Sequence, residues 1–117
     1  MNASQIIFER LAPLVDDKCY PLFIPETNPN KPPYIIYQII STEPDNDLDG
    51  ITGHEWANVQ LDVYHHDYDE CIELTHKVIA QLNEIKPSIY HGVQYLHDIP
   101  SGFYRSLIEY GFWQTMQ

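Results

Sequence analysis

Between Glu55 and Asn83 the hydrophobic pattern changes its period, and no fold built from one kind of secondary structure accommodates that change. Ala57, Val59, Leu61 and Val63 alternate with Trp56, Asn58, Gln60, Asp62 and Tyr64. A period of two marks a strand with one face on a core and the other polar or interfacial. Asp67 and Glu70 then stand at the spacing of a capping box, with Asp in place of Ser or Thr. Behind them Cys71, Leu74, Thr75, Val78, Leu82 and Ile85 share one helical stripe, while Glu73, His76, Lys77, Gln81 and Glu84 point outward. The spacing predicts a helix over Tyr68 to Asn83, which Pro87 prevents from running on.

The remaining elements arrange themselves around this pair. Asn2 or Ser4 can cap a first helix carrying Ile7, Leu11 and Leu14 on one stripe, ended or kinked near Pro13. Lys18 to Phe23 reads as a short extended piece, and Pro21 restricts it to an edge or a strand end. Pro25, Asn28, Pro29, Asn30, Pro32 and Pro33 make a loop. Tyr34 to Ile40 is β-branched and aromatic on both faces and is expected to be a central strand covered twice. Thr42 to Gly53 is acidic and turn-permissive, too polar to bury and long for a hairpin connection, so it reads as a mobile arm or a partner contact. Gly92 to Asp98 and Phe103 to Gln114 read as strands around an Ile99 to Gly102 turn. The expected fold is α+β: an antiparallel sheet of about four to five strands with two α-helices packed on one face, forming a single domain over residues 1–117.

Charge narrows the function. Six basic residues against seventeen acidic ones give a formal net charge of −11. Affinity for nucleic acid comes from Lys and Arg displacing counterions from phosphates, so a sequence-reading nucleic-acid binder is disfavoured. An acidic surface can still serve DNA as the wall of a channel to which the duplex does not adhere, or it can simply confer solubility. Cys19 and Cys71 are read as reduced thiols, since two isolated cysteines make no disulfide scaffold. Met1 to Arg10 lacks a basic stretch followed by an apolar run, and no segment has the length of apolar sequence that spans a bilayer. A soluble protein, intracellular when made and without membrane contact, is expected.

Catalytic signatures are sparse. His65, His66, Asp67 and Asp69 form the nearest approach to a metal cluster. Adjacent histidines at a strand end are expected to point to opposite sides, so surface histidines beside a helix cap compete with a small metal-dependent hydrolase using His65, His66 and Asp67. Asp45, Asp47 and Asp49 echo a calcium loop, but the bidentate Glu expected at the twelfth position would fall at Trp56. Paired carboxylates such as Asp62 and Glu109 can face each other on neighbouring strands, but nothing in the sequence places them in a cleft and charged residues on a wet sheet face explain them better. There is no CxxC pair, nucleophile elbow or Gly-rich phosphate cradle, and no cofactor is expected. Aromatic residues concentrate on the strands, which suits partner contacts. The candidate interface residues are Glu43, Asp45, Asp47 and Asp49 on the arm and Trp56, Tyr64, Tyr110 and Trp113 on the strands.

Pro33-Tyr34-Ile35-Ile36-Tyr37, Leu48-Asp49-Gly50 and Val59-Gln60-Leu61-Asp62-Val63-Tyr64 occur in that order, followed by Tyr68, an amphipathic helix, and Tyr104 to Trp113. Over nearly the whole chain this ordered set resembles the tail-completion, or head–tail joining, family of siphophages and prophages. The resemblance implies a tail-terminator-like α+β subunit with no catalytic residue. It implies a homohexameric ring that closes the tail tube, meets the tube protein and the head–tail connector, and lets DNA pass. It also implies a location at the head–tail interface of the virion, with assembly in the host cytoplasm. The nearest alternative is a head-side connector or stopper.

Overall fold

The computed structural model describes residues 1–24 and 31–116. Most of the proline-rich loop, with Pro25, Asn28, Pro29 and Asn30, lies outside the described residues. Helix α1 spans Ala3–Leu11. Asn2 accepts from the Gln5 N–H while the Gln5 side chain accepts from the Asn2 N–H, a reciprocal cap at the helix start. The helix tightens into a 3-10 turn at Ala12–Val15, where Pro13 has no N–H to give to a regular helix. Strand β1 is Cys19–Pro21, β2 is Tyr34–Asp47, β3 is Gly50–His65, helix α2 is Tyr68–Asn83, β4 is Ser88–Asp98 and β5 is Phe103–Thr115.

The five strands run in the order β1-β2-β3-β5-β4. All pairs are antiparallel except β1 with β2, which is parallel, so the sheet is mixed rather than wholly antiparallel. Its short edge strand begins within four residues of the 3-10 turn and ends at Pro21, as its missing donor requires. Both helices lie on one face. There Ile7, Leu11, Val78 and Leu82 close over Ile35, Val59, Leu61, Val63, Ile108 and Phe112. The alternation in β3 is reproduced residue for residue, with Ala57 to His65 buried at odd positions and half-buried at even ones.

A few polar groups tie the layers together. Gln114 on β5 accepts from the Ala3 N–H at 2.8 Å and donates to Glu55 at 3.2 Å, fastening the start of α1 to the end of the sheet. Thr75 gives its one hydroxyl proton to the Cys71 carbonyl at 2.7 Å. Ser106 therefore donates to the Thr75 oxygen at 2.6 Å, and the buried pair between α2 and β5 is satisfied. Cys19 and Cys71 are free and buried, and desolvation pushes the Cys19 thiol up to about 12.

Two expectations need correcting. β2 is not covered twice: beyond Tyr37 it leaves the helical layer and loses β1 as a neighbour, and Ile40 is 53% exposed. Nor is the acidic arm too long for a hairpin connection, because most of it is strand. β2 and β3 stay paired through Asp47 and Gly50, making a long hairpin closed by Leu48 and Asp49. Its turn is held by Asp47, whose carboxylate accepts the Asp49 N–H at 2.8 Å, and by Gly50 at a φ of 112°. Among the described residues no helix is long and apolar enough to cross a membrane.

Candidate functional site

Three regions hold the candidate residues, and their chemistry differs. The first is the turn from β3 into α2. His65 and His66 do not diverge as a continuing strand would require, because the strand ends at His65 and the chain bends at His66. Their rings lie 4.6 Å apart. Glu70, in the first turn of α2, joins them, its carboxylate 3.4 Å from His65 Nε2 and 3.9 Å from His66 Nε2. Asp67 is occupied elsewhere, capping α2 by accepting the Glu70 N–H at 2.9 Å. Only half of the predicted capping box therefore forms, since the Glu70 side chain turns to the imidazoles.

Metal-ligand types thus converge at His65, His66 and Glu70. The hydrogen bonds decide what they do. His65 Nδ1 accepts from the backbone N–H of His66 at 2.9 Å and of Asp67 at 3.3 Å. A neutral imidazole has one protonated nitrogen, so Nδ1 as acceptor puts the proton on Nε2, which donates toward Glu70. A metal needs a free lone pair on the nitrogen it binds. Nε2 has none in this tautomer, leaving two ligands where a zinc site needs at least three. The cluster is built to tie strand to helix. Desolvation, then the neighbouring His66, holds the His65 pKa below the ordinary histidine value.

The second region is the arm. Glu43, Asp45, Asp47 and Asp49 are all exposed on it. Asp45 accepts from the Thr52 hydroxyl at 2.9 Å, and Asp47 serves the turn. The three aspartates do not converge as ligands. Sequence reasoning missed the apolar tip: Leu48 is 105% exposed and Ile51 69%. Leu48 lies inside a run of acids, and its exposure could be read only once the turn was known.

The third region is the sheet face away from the helices. Trp56 and Trp113, neighbours across β3 and β5, meet edge to face at 5.6 Å. With Glu43, Pro44, Asn58, Ile89 and His91 they line an open hollow of about 460 Å³ at the arm's base. Farther along the same face Tyr64 stacks on Tyr34 at 4.8 Å and lies 5.9 Å beneath the Arg105 guanidinium. Arg105 also holds Asp62 at 3.3 Å. Asp62 does not face Glu109; its cross-strand neighbour is Leu107, while Glu109 sits opposite Gln60. Burial pushes the Asp62 carboxyl up, and the Arg105 charge opposes that push.

Tyr110 does not belong with the surface aromatics. It is 1% exposed on the helix side of the sheet, its hydroxyl 3.5 Å from Asn83, and it fills the core. Its position in β5 is one of alternating parity with Trp113, and that parity alone separates it from the interface set.

No protein-family model matches the chain, and no curated protein matches it. Among solved structures, a chain of one described as "Virion of native gene transfer agent (GTA) particle" is similar to it, with a TM-score of 0.63 and 12% sequence identity. The match covers 94% of this chain and 92% of that one. At this identity the likeness is one of fold, and it spans both chains almost end to end.

Proposed function

We propose that this chain is a structural subunit of a phage or prophage virion that forms a ring, completes the tail tube and joins it to the head connector. The observation that carries this reading is the end-to-end fold match to a chain of a gene transfer agent virion. The ordered motifs by which the sequence resembles the tail-completion family point the same way. A ring of identical copies needs two different patches on each subunit. The acidic hairpin and the aromatic sheet face around Trp56 and Trp113 are our candidates for those patches. Acidic side chains facing a lumen would leave a passing duplex unbound.

The role is one of geometry, with no reaction to perform. The His65 tautomer argues against the metal-dependent hydrolase reading, because the nitrogen facing Glu70 already carries a proton. Fractionation of a lysate into isolated tails and isolated heads tests the proposal. The chain is expected on tails; recovery on heads alone moves it to the head-side connector, and particles that mature normally without it overturn both.

A further inference from the structure

Resting on the reading of this chain as a virion subunit, we infer that the hollow beside Trp56 and Trp113 receives an arginine side chain from a second protein of the particle.

Strand register builds the site. Glu43, Trp56 and Trp113 are direct neighbours across β2, β3 and β5, so all three stand in one row on the sheet face away from the helices. The two indole planes meet at 90°, and Trp113 keeps 38% of its surface exposed. Trp56 is fixed in place, its Nε1–H donating to Asn58 at 3.2 Å while the ring lies over Gly111. Glu43 makes no salt bridge among the described residues. A carboxylate beside aromatic rings attracts a cation in two ways, through its charge and through the ring quadrupoles.

The same face shows what completes such a set. At its other end Tyr64, stacked on Tyr34 at 4.8 Å, lies 5.9 Å beneath the Arg105 guanidinium, which also holds Asp62 at 3.3 Å. Aromatic pair, carboxylate and guanidinium are all present there. At the arm's base the aromatic pair and the carboxylate recur without the guanidinium. Among the described residues no Lys or Arg lines the hollow, and His91 is its one basic side chain. Residues 32–76 contain no Lys or Arg either, so Asp45, Asp47 and Asp49 on the arm add to the negative field over the site. A second copy has no arginine to offer. The chain has two, and both are engaged, Arg10 with Glu84 and Arg105 with Asp62. Lysine lacks the planar fork that lies flat on an indole while pairing with a carboxylate. The occupant is therefore an exposed arginine of a different protein, and the hairpin and the Tyr64 end of the face are left for contact between copies.

The full chain, at low salt where screening is weak, is titrated with the blocked tripeptide Gly-Arg-Gly while its two indole N–H signals are followed by NMR. Both signals are expected to shift along saturable curves. The tripeptide with citrulline, isosteric and uncharged, is expected to bind about tenfold more weakly, and the lysine tripeptide to fall between the two. Glu43 is exposed, so Glu43→Gln folds, and about a tenfold loss of arginine-peptide binding is expected from it. Glu9→Gln, which removes the same charge from α1, is expected to bind as the wild type does. Equal losses in the two variants mean a general charge effect and overturn the site, as does a citrulline or lysine peptide that matches the arginine one. Indole shifts that grow with protein concentration alone, and vanish in Lys77→Gln combined with Lys86→Gln, put a second copy in the hollow and overturn the assignment. The titration needs no particle, so it is decided separately from the fractionation. A chain that binds the arginine peptide and is recovered on neither tails nor heads keeps the site and overturns the virion partner.

Discussion

Gly111 shows how much one side chain's absence can decide. The Trp56 indole lies across it, and a Cβ at position 111 would sit 2.6 Å from the indole nitrogen. Gly111→Ala must therefore displace the ring and break its edge-to-face contact with Trp113. A cost of about 1–3 kcal/mol is expected from such overpacking, measured by denaturant unfolding and accompanied by a shift in tryptophan emission. An unchanged midpoint would mean that the indole packs elsewhere. His65 carries a second prediction. Its folded pKa is depressed, so the unfolded chain takes up its proton first as pH falls. The folded state's advantage is complete above about pH 6.5, the ordinary histidine value, and declines as pH drops from there toward the lower folded value. Unfolding measured at pH 7.5 and pH 5.5 is expected to show this loss, and His65→Ala, weaker at both, to show less of it. A variant with the full pH dependence would acquit His65.

At the scale of elements, the long pair β2–β3 divides in two. Its inner half lies beneath helices, with Val59, Leu61 and Val63 buried; its outer half, from Ser41 to Asn46 on one strand and Gly50 to Ile51 on the other, is exposed. The same ladder of hydrogen bonds therefore has two stabilities, since tertiary packing rather than pairing sets the free energy of opening. Backbone amides of residues 43–55 in the free subunit are expected to exchange with solvent at least about a hundredfold faster than those of 57–63, as read by hydrogen exchange. Equal protection along both halves would show that the arm already has a partner. The alternation of β3 and the stripe of α2 were legible in the sequence because each is a local repeat. The arm carries no strand signal in the sequence because acids and prolines such as Pro44 disfavour strands, yet pairing between β2 and β3 overrides that preference.

For the whole molecule, the net charge of −11 sets a background repulsion that packing must exceed. Acids outnumber cations on every element of the hairpin, and only Asp62 and Glu84 are paired with arginine among the described residues. Raising salt from low to physiological strength shortens the screening length from about 30 Å to about 8 Å. The melting temperature is expected to rise across that range, followed by differential scanning fluorimetry. A fall would mean that the few ion pairs outweigh the repulsion.

Local periodicity, capping residues and chain-breaking prolines determined by themselves where the helices and the inner parts of the strands lie, because each of those signals acts within a few residues. Asp67 before α2 and Pro21 at the end of β1 needed no partner to be read. Strand order, the parallel seating of β1, the meeting of Glu70 with His65 and His66, and the burial of Tyr110 were decided only in the tertiary structure. Each depends on contacts between residues whose distance along the chain carries no periodic trace. Burial of a given face is set by which elements arrive over it, and on this sheet the helices arrive over one face alone.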